Sequence, residues 1–311
     1  MSALQLPYLD ADTVAATVSW GQAVDALERA LLGGLDPARA LNRSIVEVTY
    51  GQLLLMPAES GTAVGLKLGT VAPDNPARDL PRIQALYVLV DRETLTPVAL
   101  LDGTALTTLR TPAVSAVAVR HLAPADARHL LVFGSGPQAW GHVHALRAVR
   151  PVQQVTVVGR DRGRAEQLVA RLDTEGLDAR VGDGTEVSEA DLVVCATTAT
   201  SPLFDGTAVK PDACVVAVGS HEPDRREVDS ALLGRAAQGG GVVVETRDVA
   251  LREAGDVVLA LGEGALSADQ LVELGDVVRR EPGAGPSFFK SVGMGWEDLV
   301  VAEAVLQRWR R

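Results

Sequence analysis

The sequence predicts an α/β protein in which a largely antiparallel sheet is followed by a doubly wound parallel sheet. Of its 311 residues, 47% are hydrophobic and 22% are charged, the composition of a globular chain long enough for two domains. Strand-like runs follow one another directly between residues 44 and 101, whereas strand and helix patterns alternate from residue 129 onward. Alternation of that kind is typical of parallel βα units, and consecutive short strands are typical of antiparallel sheets.

The first third is predicted to contain two helices, five strands and a longer helix. Asp10 is placed to cap a short helix, and residues 19–22 (SWGQ) form a capping box for a second helix that ends at Gly33. The strands, separated by turn signals, cover residues 44–50, 52–56, 64–70, 84–90 and 97–101. An alanine-rich helix at 106–122 then leads to Pro124.

The second part is predicted to alternate strands with helices. Helices are expected at 138–148 and 164–172, and the last helix at 296–308. The predicted strands cover residues 129–133, 155–158, 179–181, 192–196, 214–218, 241–244, 257–259 and 287–292.

The turn after the first of these strands carries the clearest chemical signal. Residues 134–139 read GSGPQA, a G-x-G-x-x-A turn between a strand and a helix. Its first glycine permits the tight turn, its second lets the backbone approach a pyrophosphate, and its alanine lets the helix pack close to the strand. Free N–H groups at the helix N-terminus would bind the phosphates of a dinucleotide. The predicted phosphate-binding residues are Gly134, Ser135, Gly136, Pro137, Gln138 and Ala139.

The end of the second strand indicates which dinucleotide binds. Gly159 stands where NAD-preferring sites usually have an acidic residue, and Arg160 and Arg164 follow it. Glycine leaves room for a 2′-phosphate, and guanidinium groups bind phosphate in a planar fork. NADP(H) is therefore favoured. NAD(H) stays the alternative, because Asp161 lies among these arginines and they could form the solvated first turn of a helix.

Two loops at the carboxyl ends of predicted strands are candidates for the reacting end of the site. Thr197 and Thr198 suit a segment lying against the nicotinamide ribose, although a simple polar loop explains them equally well. Ser220 and His221 follow strand 214–218 and place a titratable group where hydride transfer would occur.

Four basic residues of the first third, Arg43, Lys67, Arg82 and Arg110, are further candidates. Lys67 lies within an otherwise apolar strand, and Arg110 lies in an uncharged stretch with Thr107, Thr108, Leu109 and Thr111 around it. Charged side chains in such settings are rarely buried without a partner. They either line a cleft and bind a carboxylate substrate, or they form structural ion pairs with some of the forty acidic residues.

Composition argues against several other classes of protein. A net charge of −11 makes a nucleic acid or an acidic membrane an unexpected partner. No run is apolar for the roughly 20 residues of a membrane span, and no secretory signal pattern is visible, so a cytoplasmic location is expected. The five histidines do not converge in the pattern of a metal site, so no metal is expected.

Several motifs, in order along the chain, resemble the ornithine cyclodeaminase/mu-crystallin family. Residues 109–116 (LRTPAVSA) are similar to the family's L-R-T-A-A-x-S-A, and residues 289–299 (FKSVGMGWEDL) to its F-K-S-x-G-x-A-x-x-D-L. The glycine turn at 134–139 and residues 218–229 (VGSHEPDRREVD) also match.

The resemblance implies a Rossmann domain, residues 123–286, inserted into a substrate-binding and dimerisation domain, residues 1–122 and 287–311. It implies a homodimer whose subunits pair through the sheet of the second of these domains. Arg43, Lys67 and Arg110 would hold the substrate carboxylate, which favours the cleft, and Ser291 would lie by the cofactor. Arg82 departs from the family, where a small hydroxyl residue stands.

One loop separates the branches of the family. Ornithine cyclodeaminases resemble G-G-D-C-P-G-K-x-E there, with a catalytic aspartate, whereas this chain has His221 at that place and resembles the mu-crystallin-like imine reductases. The resemblance thus implies NAD(P)H-dependent reduction of a small cyclic imino acid, with Lys67 and Arg110 fixing its carboxylate and His221, or a water held by Ser220, handling the proton. The alternatives are an ornithine cyclodeaminase, an alanine-type amino-acid dehydrogenase, and a non-catalytic dinucleotide-dependent binder.

Overall fold

The computed structural model describes residues 6–279 and 285–311 and divides the chain into two compact units. The first unit comprises Met1–Arg110 and Met294–Arg311, and the second comprises Thr111–Gly293. The strands are β1 (Tyr8–Leu9), β2 (Ser44–Val48), β3 (Gly51–Glu59), β4 (Ala63–Val71), β5 (Ile83–Asp91), β6 (Pro97–Asp102), β7 (His129–Phe133), β8 (Gln154–Val158), β9 (Asp178–Val181), β10 (Leu192–Cys195), β11 (Cys214–Ala217), β12 (Gly241–Val244), β13 (Leu271–Glu273) and β14 (Ser287–Lys290). The helices are α1 (Ala11–Thr17), α2 (Trp20–Leu32), α3 (Gly103–Leu122), α4 (Pro137–Arg147), α5 (Arg162–Thr174), α6 (Ser230–Gln238), α7 (Arg247–Glu253), α8 (Gly255–Gly262), α9 (Leu274–Val277) and α10 (Gly295–Trp309).

The first unit is a six-stranded sheet in the order β1-β6-β5-β4-β3-β2. Strands β2 to β6 form an antiparallel meander, as the sequence predicts, and the short β1 pairs parallel to β6. The predicted caps are also confirmed. Asp10 accepts the N–H of Thr13 at 2.9 Å, and Ser19 forms a capping box with Gln22 at the start of α2.

The second unit contains an eight-stranded sheet in the order β13-β12-β14-β11-β10-β7-β8-β9, and its described pairings are all parallel. Every residue of β10 and β11 is buried, as expected of central parallel strands covered on both faces. The order β9-β8-β7-β10-β11-β14 is the 3-2-1-4-5-6 order of a doubly wound dinucleotide-binding sheet. The strand order reverses between β7 and β10, while all strands keep the same direction, so the carboxyl ends of these two strands mark the expected ligand crevice.

Two sequence-based assignments differ from the structure. Residues 257–259, predicted as a strand, lie in helix α8, because a short run that is apolar all round fits either element. The edge strand of the sheet is instead β13, which the sequence analysis missed. Residues 287–292 were placed in the first domain, but β14 ends at Lys290 and pairs with β11 and β12 in the parallel sheet. The roles of the two domains stay predictions.

Candidate active site

The glycine turn between β7 and α4 has the geometry of a phosphate-binding turn. Gly134 has φ +120°, and a Cβ there would lie 2.4 Å from the carbonyl oxygen of Ala196. Only glycine fits such a position. Gly136 is the N-cap of α4, with no side chain occupying the cap and open space where its Cβ would be. Ala139 is fully buried. The backbone at the N-terminus of α4 is thus accessible, which fits a pyrophosphate.

The segment after β8 places its arginines at the surface. A Cβ on Gly159 would lie 3.4 Å from the hydroxyl of Ser135, so the ends of β7 and β8 are close together. Arg160 and Arg164 are exposed. Asp161 caps α5 by accepting the N–H of Arg164 at 3.1 Å, which gives this carboxylate a structural role beside the predicted phosphate-binding arginines.

The loops after β10 and β11 are joined by one buried carboxylate. Glu227 accepts hydrogen bonds from both the N–H and the hydroxyl of Thr197, at 2.8 and 2.7 Å, and from the N–H of Gly219 at 2.7 Å. Thr198 is exposed. Burial raises the pKa of Glu227, and the ammonium of Lys290 acts in the opposite direction.

Ser220 and His221 differ in their surroundings. The hydroxyl of Ser220 is buried and donates to the carbonyl of Arg225 at 2.6 Å, so it closes the loop after β11. His221 is exposed. The geometry of Ser220 favours a structural role for this hydroxyl over the holding of a reactive water.

Ser291 lies just beyond β14 in a second buried network. Its hydroxyl donates to Glu245 at 2.8 Å, and Glu245 also accepts the N–H groups of Val292 and Gly293 at 2.9 and 3.0 Å. Glu245 follows β12, so this carboxylate links the carboxyl ends of two neighbouring strands.

Lys67 and Arg110 come together in the first unit, both about 5% exposed. The Lys67 ammonium lies 2.7 Å from Asp298 and 3.3 Å from the hydroxyl of Thr107. Arg110 contacts Glu297 at 2.5 Å and Asp298 at 3.2 Å. Two cations therefore meet two buried carboxylates, and the ion-pair interpretation of these residues applies. Their binding of a substrate carboxylate stays a prediction.

Burial changes the proton affinity of this cluster. It lowers the pKa of Lys67 from 10.5 to about 8, while Asp298 raises that pKa and the guanidinium of Arg110 lowers it. With a pKa of about 8, this lysine loses its proton at a lower pH than an exposed lysine does.

The other two predicted basic residues are less buried. Arg43 is half-buried just before β2, and Arg82 is exposed just before β5.

Sequence reasoning missed the carboxylates that organise both clusters. Glu297 and Asp298 are buried in the first turn of α10, and Glu227 and Asp256 are buried as well. Asp256 precedes the apolar run 257–261, which was an available signal, because an acidic residue in an apolar setting needs a buried partner. Glu227 lies in a charged stretch at 224–229 (DRREVD), where no such signal marks it.

A cavity of about 1170 Å³ in the first unit is lined mainly by residues of α2, the β3–β4 turn and α10. Lys67 and Arg110 do not line it, so it is separate from the predicted carboxylate site. Within residues 6–279 and 285–311, no group of three or more His, Cys, Asp or Glu side chains could hold a metal ion. No helix in the described part of the chain has the length and apolar character needed to cross a bilayer.

These features define a protein of two units, one with a Rossmann-type parallel sheet and one with a buried cluster in which Lys67 and Arg110 are paired with Glu297 and Asp298. The chain belongs to the ornithine cyclodeaminase/mu-crystallin family, whose model matches residues 11–311.

Similar proteins carry related activities in their names. The Delta(1)-pyrroline-2-carboxylate reductase of Colwellia psychrerythraea is 35% identical over 82% of this chain and 83% of the relative. The ketimine reductase mu-crystallin of Rattus norvegicus is 36% identical over 86% and 84%. The structure of Thermococcus litoralis Delta(1)-pyrroline-2-carboxylate reductase with NADH and L-proline is similar with a TM-score of 0.89, at 27% identity over 97% of each chain. An archaeal alanine dehydrogenase dimer with bound NAD also has a TM-score of 0.89, at 27% identity over 98% of this chain and 96% of that one.

Proposed function

We propose that this protein is an NAD(P)H-dependent reductase that converts 1-pyrroline-2-carboxylate or 1-piperideine-2-carboxylate to the L-amino acid. The observation that carries the proposal is the buried pair of Lys67 and Arg110, because it combines a fixed guanidinium with an ammonium whose pKa lies at about 8. Relatives named for this reduction, over more than four fifths of the chain, support it.

The carboxylate of the substrate is assigned to Arg110. Glu297 and Asp298 hold the guanidinium plane from α10, so its orientation is set before substrate binds. A planar guanidinium recognises a carboxylate through paired N–H donors. Arg43 is proposed to assist Arg110 in binding the carboxylate. Arg82 is proposed to change the substrate pocket relative to that of the rest of the family.

The proton on the imine nitrogen is assigned to Lys67, with His221 as the second candidate. The bound dinucleotide supplies the hydride. An ammonium with a pKa of about 8 is protonated at neutral pH and can keep a proton on the imine nitrogen, which makes the neighbouring carbon a better hydride acceptor.

Ornithine cyclodeamination is the main alternative. The loop after β11 has His221 where the cyclodeaminases have their aspartate. The neighbouring hydroxyl of Ser220 donates a hydrogen bond to the carbonyl of Arg225 within the same loop. The acid/base carboxylate of that reaction is therefore missing at its usual place. An amino-acid dehydrogenase is supported by the similarity to the archaeal alanine dehydrogenase at 27% identity, which is below the 35% and 36% identity of the relatives named as imine reductases. A non-catalytic binder has no specific observation in its favour.

One pair of assays tests the proposal. Oxidation of NADPH and of NADH is followed with 1-pyrroline-2-carboxylate, while ornithine with NAD⁺ is assayed in parallel for proline. We expect consumption of reduced dinucleotide with the imine and no proline from ornithine. Proline from ornithine without build-up of NADH would instead identify a cyclodeaminase.

NADP(H) is the proposed preferred cofactor. Gly159 puts no carboxylate at the end of β8, and the exposed Arg160 is the guanidinium closest to it in sequence. Arg160→Ser should raise the Kd of NADPH about tenfold and leave that of NADH nearly unchanged, since only NADPH has the 2′-phosphate. Arg162→Ser is the matched control, because Arg162 pairs with Glu166 on α5 at 2.9 Å. An equal effect of Arg160→Ser on both cofactors would contradict the preference.

The proposal includes a homodimer formed through the sheet of the first unit. Strand β2 is an edge strand whose five residues are all exposed, and it presents Ile45, Val46 and Val48 at 56%, 44% and 46% exposure. An unprotected apolar edge strand is a pairing site. A second copy of the chain is the proposed occupant, because the family resemblance implies pairing through this sheet.

A further inference from the structure

Glu227 joins two loops at the carboxyl edge of the parallel sheet. Its side chain is fully buried and accepts two hydrogen bonds from Thr197, after β10, and one from Gly219, after β11. Two of these donors are backbone N–H groups, so the contact fixes the path of the main chain in each loop.

The packing between the two loops leaves no room for a different arrangement. A Cβ on Gly219 would lie 1.9 Å from the carbonyl oxygen of Thr197 and 2.5 Å from Oε1 of Glu227. Residue 219 must therefore be glycine for the carboxylate to reach both loops.

Glu227 is itself held by a second carboxylate. Its N–H donates to Asp256 at 2.7 Å, and Asp256 lies 2.8 Å from the ammonium of Lys290. Lys290 is the last residue of β14. A buried polar chain thus runs along the carboxyl edge from β10 and β11 to β14, the edge at which sheets of this kind bind ligands.

We infer that Glu227 is a positioning residue of the dinucleotide site, acting through Thr197 and the backbone of Gly219. The inference rests on the proposed function, a dinucleotide-dependent reduction, and on the prediction from the sequence that Thr197 lies against the nicotinamide ribose. Loss of the carboxylate would release the two loops and lower the affinity for dinucleotide before any chemistry occurs.

The chain offers a matched control at the opposite edge of the same sheet. Asp191 also accepts three hydrogen bonds, from the N–H groups of Arg128 and His129 at 2.8 and 3.0 Å and from Lys210 at 2.5 Å. It precedes β10, far along the strand from the loop that Glu227 holds. Its loss should cost stability without moving the loops at the carboxyl edge.

The test measures dinucleotide binding to the full-length protein by fluorescence titration with NADPH and NADH. Glu227→Gln keeps the size of the side chain but replaces one acceptor oxygen by a donor amide, which opposes an N–H group. We expect the Kd for the preferred dinucleotide to rise about tenfold, the cost of one hydrogen bond to a charged group. Asp191→Asn should leave that Kd within about twofold of the wild-type value, even if it lowers the melting temperature as much as Glu227→Gln does.

A milder pair of variants keeps the test decisive if Glu227→Gln does not fold. Thr197→Val removes the hydroxyl group and with it two hydrogen bonds, the one to Glu227 at 2.7 Å and the one accepted from the N–H of Ala199 at 3.1 Å, whereas Thr197→Ser keeps the hydroxyl. Weaker binding by Thr197→Val than by Thr197→Ser would support the inference. Where Glu227→Gln does fold, a Glu227→Gln/Thr197→Val double variant weakened by less than the product of the single effects would show that the hydroxyl acts through Glu227.

Wild-type affinity in both Glu227→Gln and Thr197→Val would overturn this inference and leave the proposed function standing. If Glu227→Gln does not fold, equal affinities of Thr197→Val and Thr197→Ser overturn it. A wild-type protein that binds neither dinucleotide overturns the proposed function and the inference together.

Discussion

The buried histidine of α4 should make the second unit sensitive to acid. His142 is fully buried, with Nδ1 2.7 Å from the carbonyl of Gln138 and Nε2 2.9 Å from the hydroxyl of Ser115. A carbonyl only accepts, so Nδ1 carries a hydrogen, and in the neutral ring Nε2 accepts from Ser115. These contacts join the helix that begins at the glycine turn to α3.

Burial lowers the pKa of His142 from 6.5 to about 4. The hydrogen bond to the carbonyl of Gln138 raises this pKa, but its effect is smaller than that of burial. Above pH 6.5 the ring is neutral in the folded and the unfolded protein, and it does not affect the pH dependence of stability. Between 6.5 and about 4 only the unfolded chain binds the proton, so the free energy of unfolding falls as the pH falls. The pKa of His142 falls from 6.5 to about 4, and each pH unit changes the free energy of unfolding by roughly 1.36 kcal/mol. The full loss of stability is therefore about 3 kcal/mol, and about 2 kcal/mol of it has occurred by about pH 5.

Urea unfolding followed by circular dichroism at a series of pH values measures this loss. The wild type should lose about 2 kcal/mol more than His142→Gln between about pH 7.5 and about pH 5, because glutamine cannot titrate in this range. His129→Gln is the control for removing a histidine, since His129 is only partly buried and contacts Thr156 at 3.0 Å. Parallel pH curves for the wild type and His142→Gln would refute the reasoning.

Three further predictions follow from the proposed site and assembly. Lys67→Met should lower kcat/KM for the imine about 100-fold and leave the affinity for dinucleotide unchanged. The activity of the wild type should fall as the pH rises through about 8, because the Lys67 ammonium loses its proton there. A flat pH profile of the wild type would contradict this role of Lys67. Gly136→Val should abolish dinucleotide binding in a titration, because its side chain would fill the open cap of α4, whereas Gly61→Val, in an equally open turn of the first unit, should bind normally. Ile45→Asp should shift the protein from dimer to monomer in sedimentation. Leu251→Asp, at an exposed apolar position of the second unit, is the control and should leave the dimer intact. A dimer that persists in Ile45→Asp would exclude the β2 face as the dimer interface.

Features set by near neighbours in the chain could be predicted. The glycine turn at 134–139 depends on a strand, two glycines and a helix start within a few residues, and the structure has all of them. The same holds for the caps at Asp10 and Ser19. The prediction of a strand at 257–259 was wrong because the eight mostly apolar residues of α8 show no periodicity that distinguishes a helix from a strand.

The partners of buried charges could not be predicted. Lys67 and Asp298 are 231 positions apart, and Glu227 reaches a threonine 30 positions before it. The sequence indicates that a lysine in an apolar strand needs a partner, but any of forty acidic residues would satisfy that need.

Periodicity, helix caps and glycine requirements act over a few residues, so the class of fold, the family and the glycine turn at 134–139 could be predicted from the sequence alone. The three-dimensional fold was needed to show that Lys67 and Arg110 share the carboxylates of α10, that β14 joins the parallel sheet, and that Glu227 ties the loops after β10 and β11 together. Strand order and the pairing of buried charges depend on which distant segments meet, and the packing of the whole core settles that.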